Sequence, residues 1–98
     1  MTEPEYQARL IKKLRDRFPG CVILKNDPTY LQGVPDLAIF FYDMWAMLEV
    51  KMSATANRQP NQDHYVGKFA EMSFASYIYP ENEDEVLSEL QLAFSLSK

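Results

Sequence analysis

GVPDLAIFFYDMWAMLEVK, from Gly33 to Lys51, decides how this chain folds. Leu37 to Tyr42 is almost wholly apolar, as is Trp45 to Leu48, and both runs are rich in aromatic and β-branched residues. With Asp43-Met44 as the turn between them, the stretch predicts a β-hairpin. A symmetric turn there sets Asp36 opposite Lys51, with Glu49 two residues away from Lys51 on the same face. Asp36, Glu49 and Lys51 then converge at one end of a sheet that is otherwise apolar. Two acids and a lysine beside a dry core are costly to bury without a partner. A divalent cation neutralises such acids, and an oxygen-only ligand set suits magnesium or manganese. The same three charges also read as solvated strand ends, with Glu49–Lys51 an ordinary surface pair.

Upstream of the hairpin, Asn26 to Gln32 is a polar loop containing Pro28 and Tyr30. Gly33 is suited to a positive φ, and Val34 is held extended by Pro35, so Asp36 reaches the strand with little conformational freedom. Tyr30 reads either as a stacking surface for a base or sugar or as a cover for the core edge. Cys21 to Lys25 is a short apolar strand. Before it, Thr2 and Glu5 have the spacing of a capping box, Pro4 fits a first helical turn, and Tyr6, Leu10, Ile11, Leu14 and Phe18 form a helical stripe that Pro19-Gly20 ends.

Downstream, Met52 to Arg58 is a polar loop in which Arg58 is a candidate phosphate contact. Pro60 starts a second helix whose buried face is Tyr65, Val66, Phe69, Ala70 and Ser73. Gln62 shares that face and needs a polar partner. Gly67 is expected to let the helix approach the sheet closely. His64 lies off the stripe, and a single histidine makes no zinc pattern. Ser76 to Tyr79 is a last strand, and Glu81 to Glu85 load the first turn of a last helix with the stripe Val86, Leu87, Leu90 and Phe94. The expected order is helix, strand, strand, strand, helix, strand, helix: one α/β domain over residues 1–98, a mixed sheet flanked by helices.

Composition bounds the function. Hydrophobic content of 47% with 24% charged residues is that of a globular domain, and no apolar run is long enough to span a bilayer. The acidic, polar start is unlike a signal peptide. Cys21 is the one cysteine, so it reads as a buried thiol with no internal disulfide, consistent with a reducing, intracellular, cytoplasmic setting. The net charge of −4 speaks against nucleic acid as a partner, yet Arg9, Lys12, Lys13, Arg15 and Arg17 crowd one stretch while acids gather from Glu81 to Glu89. Such segregation fits a DNA-facing side carrying Arg9, Lys12 and Lys13, and equally a helix with a solvated basic face.

Pro35-Asp36 followed by Glu49-Val50-Lys51 resembles the PD-(D/E)xK nuclease superfamily. The fuller wording, GVPDL, then EVK, then QPNQ at Gln59 to Gln62, is similar to its VRR-NUC branch and to small archaeal-type Holliday junction resolvases. The likeness covers nearly the whole chain, because the order of elements agrees. It implies a restriction-endonuclease-like αβββαβ core plus a C-terminal helix. It also implies a metal-dependent endonuclease acting on DNA, structure-specific for junctions or flaps. Asp36, Glu49 and the Val50 carbonyl would bind Mg²⁺ or Mn²⁺, and Lys51 would orient or activate water. Gln62, ahead of Gln59, would position a ligand or water. Glu5, ahead of Glu3, matches the first-helix glutamate that joins the metal site in many members, although the capping box already accounts for it. A homodimer would present two sites to two strands. Two alternatives stand beside this: a non-catalytic nucleic-acid-binding module, and a protein-interaction domain, which the acidic last helix and low pI favour.

Overall fold

The structure is a computed structural model that describes residues 1–96. Its elements are α1 (Glu3–Arg17), β1 (Val22–Lys25), β2 (Leu37–Phe41), β3 (Met44–Val50), α2 (Pro60–Met72), β4 (Phe74–Ile78) and α3 (Glu83–Leu96). The order is the expected one. The four strands form one mixed sheet in sequential order, antiparallel from β1 to β3 and parallel between β3 and β4. Among the described residues no helix is long and apolar enough to cross a membrane.

The hairpin differs from the expectation in its turn. The tight loop is Tyr42-Asp43, because Phe41 pairs with Met44 and Leu37 with Leu48. Tyr42 takes φ 58°, the left-handed conformation that a two-residue hairpin loop requires of its first residue. Carried one step further, this register sets Asp36 against Glu49 rather than against Lys51. The offset is two residues, so no side chain changes face and the three charged groups still converge.

Alternation then sorts the sheet. Leu37, Ile39, Ala46, Leu48, Val50 and Ile78 face one way and are buried beneath Tyr6, Leu10 and Leu14 of α1, Phe18 just past its end, and Val86, Leu87, Leu90 and Phe94 of α3. Phe18 joins the two helices at the far end, its ring 5.4 Å from Phe41 and 5.2 Å from Phe94, both edge-on. The opposite face carries Trp45, Met47 and Glu49, and α2 packs there, with Phe69 edge-on to Trp45 at 6.0 Å. This layer is thinner: Tyr65, Val66, Phe69 and Ser73 are half-buried and Ala70 is exposed. Gly67 departs from the expectation, since nothing lies within 4 Å of where a Cβ would sit. Cys21 is only half-buried, against the margin of the core. The last strand starts two residues earlier than the sequence suggests and the last helix at Glu83.

Candidate active site

Asp36 is placed by backbone chemistry on both sides. Asn26 reaches across from the end of β1, its Nδ2 donating to the Pro35 carbonyl at 2.9 Å and its backbone N–H to the Asp36 carbonyl at 2.9 Å. The Val50 N–H donates to Asp36 Oδ2 at 2.8 Å, fixing the carboxylate at the C-terminal end of β3. Gly33 sets the approach of the preceding loop. Its φ of 91° favours glycine, and a Cβ there would lie 2.4 Å from the Asn61 Cβ and 2.7 Å from the Asn61 carbonyl carbon. The loop and the start of α2 are thus pressed together, which brings the PD segment and the QPNQ segment into one place.

Glu49 is 3% exposed, in line with its position on the sheet face under α2. Gln62, on the first turn of α2, donates from Nε2 to Glu49 Oε2 at 3.0 Å. Its Oε1 accepts from Lys51 Nζ at 2.9 Å and from the Gln59 backbone N–H at 3.0 Å. Lys51 Nζ lies 3.6 Å from Glu49 Oε2, and its side chain is 12% exposed. The amide therefore has a fixed orientation: one end bonds the acid, the other the lysine.

The remaining carboxylate oxygen, Glu49 Oε1, is buried and has no hydrogen-bond donor. Such atoms are uncommon in folded proteins, and this oxygen is free to take a water or another ligand. Burial, and after it the adjacent Asp36 charge, push the Glu49 carboxyl up to about 7 against the opposing pull of Lys51. Asp36 is raised as well, by burial, although the Val50 N–H and Lys51 act in the other direction. Burial and proximity thus leave the two acids short of neutralising charge.

The other residues singled out in the sequence are spread more widely. Val50 is fully buried and supplies the N–H to Asp36. Glu5 sits in a closed capping box, its Oε1 accepting the Thr2 N–H at 2.8 Å while Thr2 Oγ1 accepts the Glu5 N–H at 3.3 Å. Among the described residues no third carboxylate, imidazole or thiol joins the pair as a possible metal group. Arg9 and Lys12 are exposed on α1, on the sheet face away from Glu49. Lys13 is committed elsewhere: with the Tyr6 hydroxyl it holds the buried Glu83 carboxylate at the start of α3. Arg58 is exposed next to α2, its guanidinium 3.9 Å from the centre of the Tyr77 ring.

Sequence reasoning missed Asn26, which holds the Pro35-Asp36 segment, and Tyr77, which lies beside Glu49. Asn26 carried a faint signal as a polar residue ending a strand. Tyr77 carried none, because its place beside Glu49 follows from the parallel pairing of β3 with β4.

No protein-family model matches the chain, and no curated protein matches it. Among solved structures, it is similar to a VRR_NUC domain with a TM-score of 0.62 and 20% sequence identity, over 83% of this chain and 92% of that one. The likeness spans almost the whole of that domain. In fold, then, the chain is similar to a VRR_NUC domain.

Proposed function

We propose that the domain is a metal-dependent endonuclease hydrolysing phosphodiester bonds in DNA, with branched forms such as junctions and flaps as preferred substrates. The observation that carries this reading is the buried, donorless Oε1 of Glu49 beside a second raised carboxyl, Asp36. The pair offers hard oxygen donors, short of neutralising charge, which fits a divalent cation. Asp36 and Glu49, with the Val50 carbonyl, would hold Mg²⁺ or Mn²⁺. Bound there, the ion supplies Lewis-acid polarisation of the scissile phosphate and offsets its developing charge.

The chain's own groups do the rest. The Val50 N–H and the Gln62 amide each fix one carboxylate oxygen and leave the other for a ligand. The Lys51 ammonium gives one donor to Gln62 and has others to orient an attacking water or meet a phosphate oxygen. Glu5 is assigned to the helix cap on this reading. Arg9, Lys12 and Arg58 supply backbone-phosphate contacts, with Lys13 divided between DNA and Glu83. A homodimer would present two sites to two strands, and the exposed Val22, Leu24 and Phe40 on one sheet face give it an apolar surface. An intracellular setting accords with the single free thiol, Cys21.

The test is cleavage of a panel of linear, flap and four-way DNAs with and without Mg²⁺ or Mn²⁺, for the parent and Asp36→Asn. The expected result is metal-dependent cutting by the parent, none by the variant, and weaker Mn²⁺ binding by the variant in calorimetry. Salt-sensitive DNA binding without cutting under any metal would instead mark a non-catalytic binding module. Unchanged Mn²⁺ affinity in Asp36→Asn would remove Asp36 from the site.

A further inference from the structure

Beside the carboxylate pair, on the next strand, lies a second built arrangement. Tyr77 of β4 is the cross-strand partner of Glu49, so the two side chains rise from the same face as neighbours. Its hydroxyl donates to Asp63 Oδ1 on α2 at 2.5 Å, which pins the ring between sheet and helix. Burial and then this hydrogen bond hold the hydroxyl protonated far above the usual phenol range, and the Glu49 charge adds to the effect. The Arg58 guanidinium lies over the ring at 3.9 Å, and among the described residues Arg58 makes no ion pair.

Arginine stacked on a phenol ring is held by the ring's quadrupole, and an acceptor on the hydroxyl makes the ring more electron-rich. Stacking occupies the flat face of the guanidinium and leaves its edge, with the N–H fork, pointing outward. That fork matches the oxygens of a phosphate. A solvated arginine must order a long side chain before it binds. This one is already ordered, at the margin of a site lined by carboxylates where a polyanion would otherwise be repelled.

We propose that Tyr77, braced by Asp63, is a positioning residue that pre-stacks Arg58 as a seat for a backbone phosphate flanking the carboxylate pair. The inference rests on the nucleic-acid reading above and extends it to residues which that reading does not use. Arg58 touches the substrate. Tyr77 and Asp63 act through it.

The experiment is a DNA-binding titration by fluorescence anisotropy, without divalent metal, over a range of salt concentrations. It uses a labelled duplex and the full chain. Arg58→Ala should weaken binding about tenfold and lower the salt slope by about one. Tyr77→Leu should weaken it several-fold, and Arg58→Ala with Tyr77→Leu should bind no worse than Arg58→Ala alone. Tyr77→Phe keeps the ring but loses the Asp63 brace, so it should weaken binding less than Tyr77→Leu does. Arg58→Lys, a surface change harmless to folding, keeps the charge but not the stack and should lose affinity several-fold. Parent-strength binding by Arg58→Lys, or a Tyr77→Leu loss that adds fully to that of Arg58→Ala in folded protein, overturns the inference. A parent that binds no DNA at low salt overturns the nuclease reading as well. A parent that binds while the Tyr77 and Arg58 variants stay silent overturns this inference alone.

Discussion

Removing the charge on Glu49 should make the metal-free protein more stable, and by an amount that depends on pH. Glu49→Gln keeps the length of the side chain and an oxygen to accept from Gln62, but no carboxylate. In the parent, the carboxyl is raised from 4.5 to about 7 by burial and by Asp36. A carboxyl raised this way favours the fold below its unfolded value and loses that contribution as pH rises through its folded value. At pH 8 the charged form therefore costs the apo fold at most about 3 kcal/mol. The variant forgoes the attraction to Lys51, so a net gain of about 1–2 kcal/mol is expected, or roughly 5–15 °C in melting temperature for a domain of this size. Near pH 4.5 the parent carboxyl carries its own proton, and the gain should vanish. Added Mn²⁺ should reverse the ranking at pH 8, because a ligand that binds the native state stabilises it by mass action and the variant has lost an oxygen donor. Calorimetric unfolding of both proteins from pH 4.5 to 8.5, with EDTA and with Mn²⁺, measures all of this. If Glu49→Gln is less stable than the parent at pH 8 without metal, Lys51 and Gln62 already satisfy Glu49, and no cation is needed there.

Gly33→Ala combines a positive φ with a clash against Asn61, so thermal unfolding should show a loss of about 1–3 kcal/mol, with cleavage falling further as the start of α2 is displaced. Glu5→Gln should leave both melting temperature and cleavage near parent values, since glutamine also closes a capping box; lost cleavage in a folded variant would return Glu5 to the metal site. Glu83 is held below the usual carboxylate range because hydrogen bonds from Lys13 and Tyr6 outweigh its burial. Its contribution is present above the unfolded value of 4.5 and lost as pH falls through the folded one. Glu83→Gln should cost about 1–2 kcal/mol at pH 7, and acid titration of the melting temperature should show the gap to the parent closing as pH falls below that unfolded value.

How far the sequence revealed the site depends on how local each cause was. The helical stripes were legible because burial repeats every three to four residues, and α1 and α3 bury the residues expected of them. The hairpin was legible from its apolar runs, but not its register. The turn depends on Tyr42 taking φ 58°, a conformation that bulky side chains rarely adopt, so the sequence pointed to Asp43-Met44 instead. The site survived that error because strand alternation has a period of two and the offset was two. Tyr77 lay beyond reach. Its partner Glu49 is joined to it only through α2, and parallel pairing across a helix leaves no turn from which a register can be counted.

Gln62 shows why the QPNQ stretch belongs with the two acids. It is the third residue of α2, where glutamate and glutamine serve a helix start equally, because either can accept the N–H of the capping position. The site breaks that equivalence. The same Oε1 that accepts from Gln59 accepts from Lys51, while Nε2 donates to Glu49. A glutamate there would keep the helix start and the lysine. It would replace the donor facing Glu49 with a third negative oxygen, beside a pair already raised by burial. Only the amide offers an acceptor to the lysine and a donor to the acid without adding charge. One side chain thus starts α2, orients Lys51 and occupies Oε2 of Glu49, and it leaves Oε1 without a protein donor.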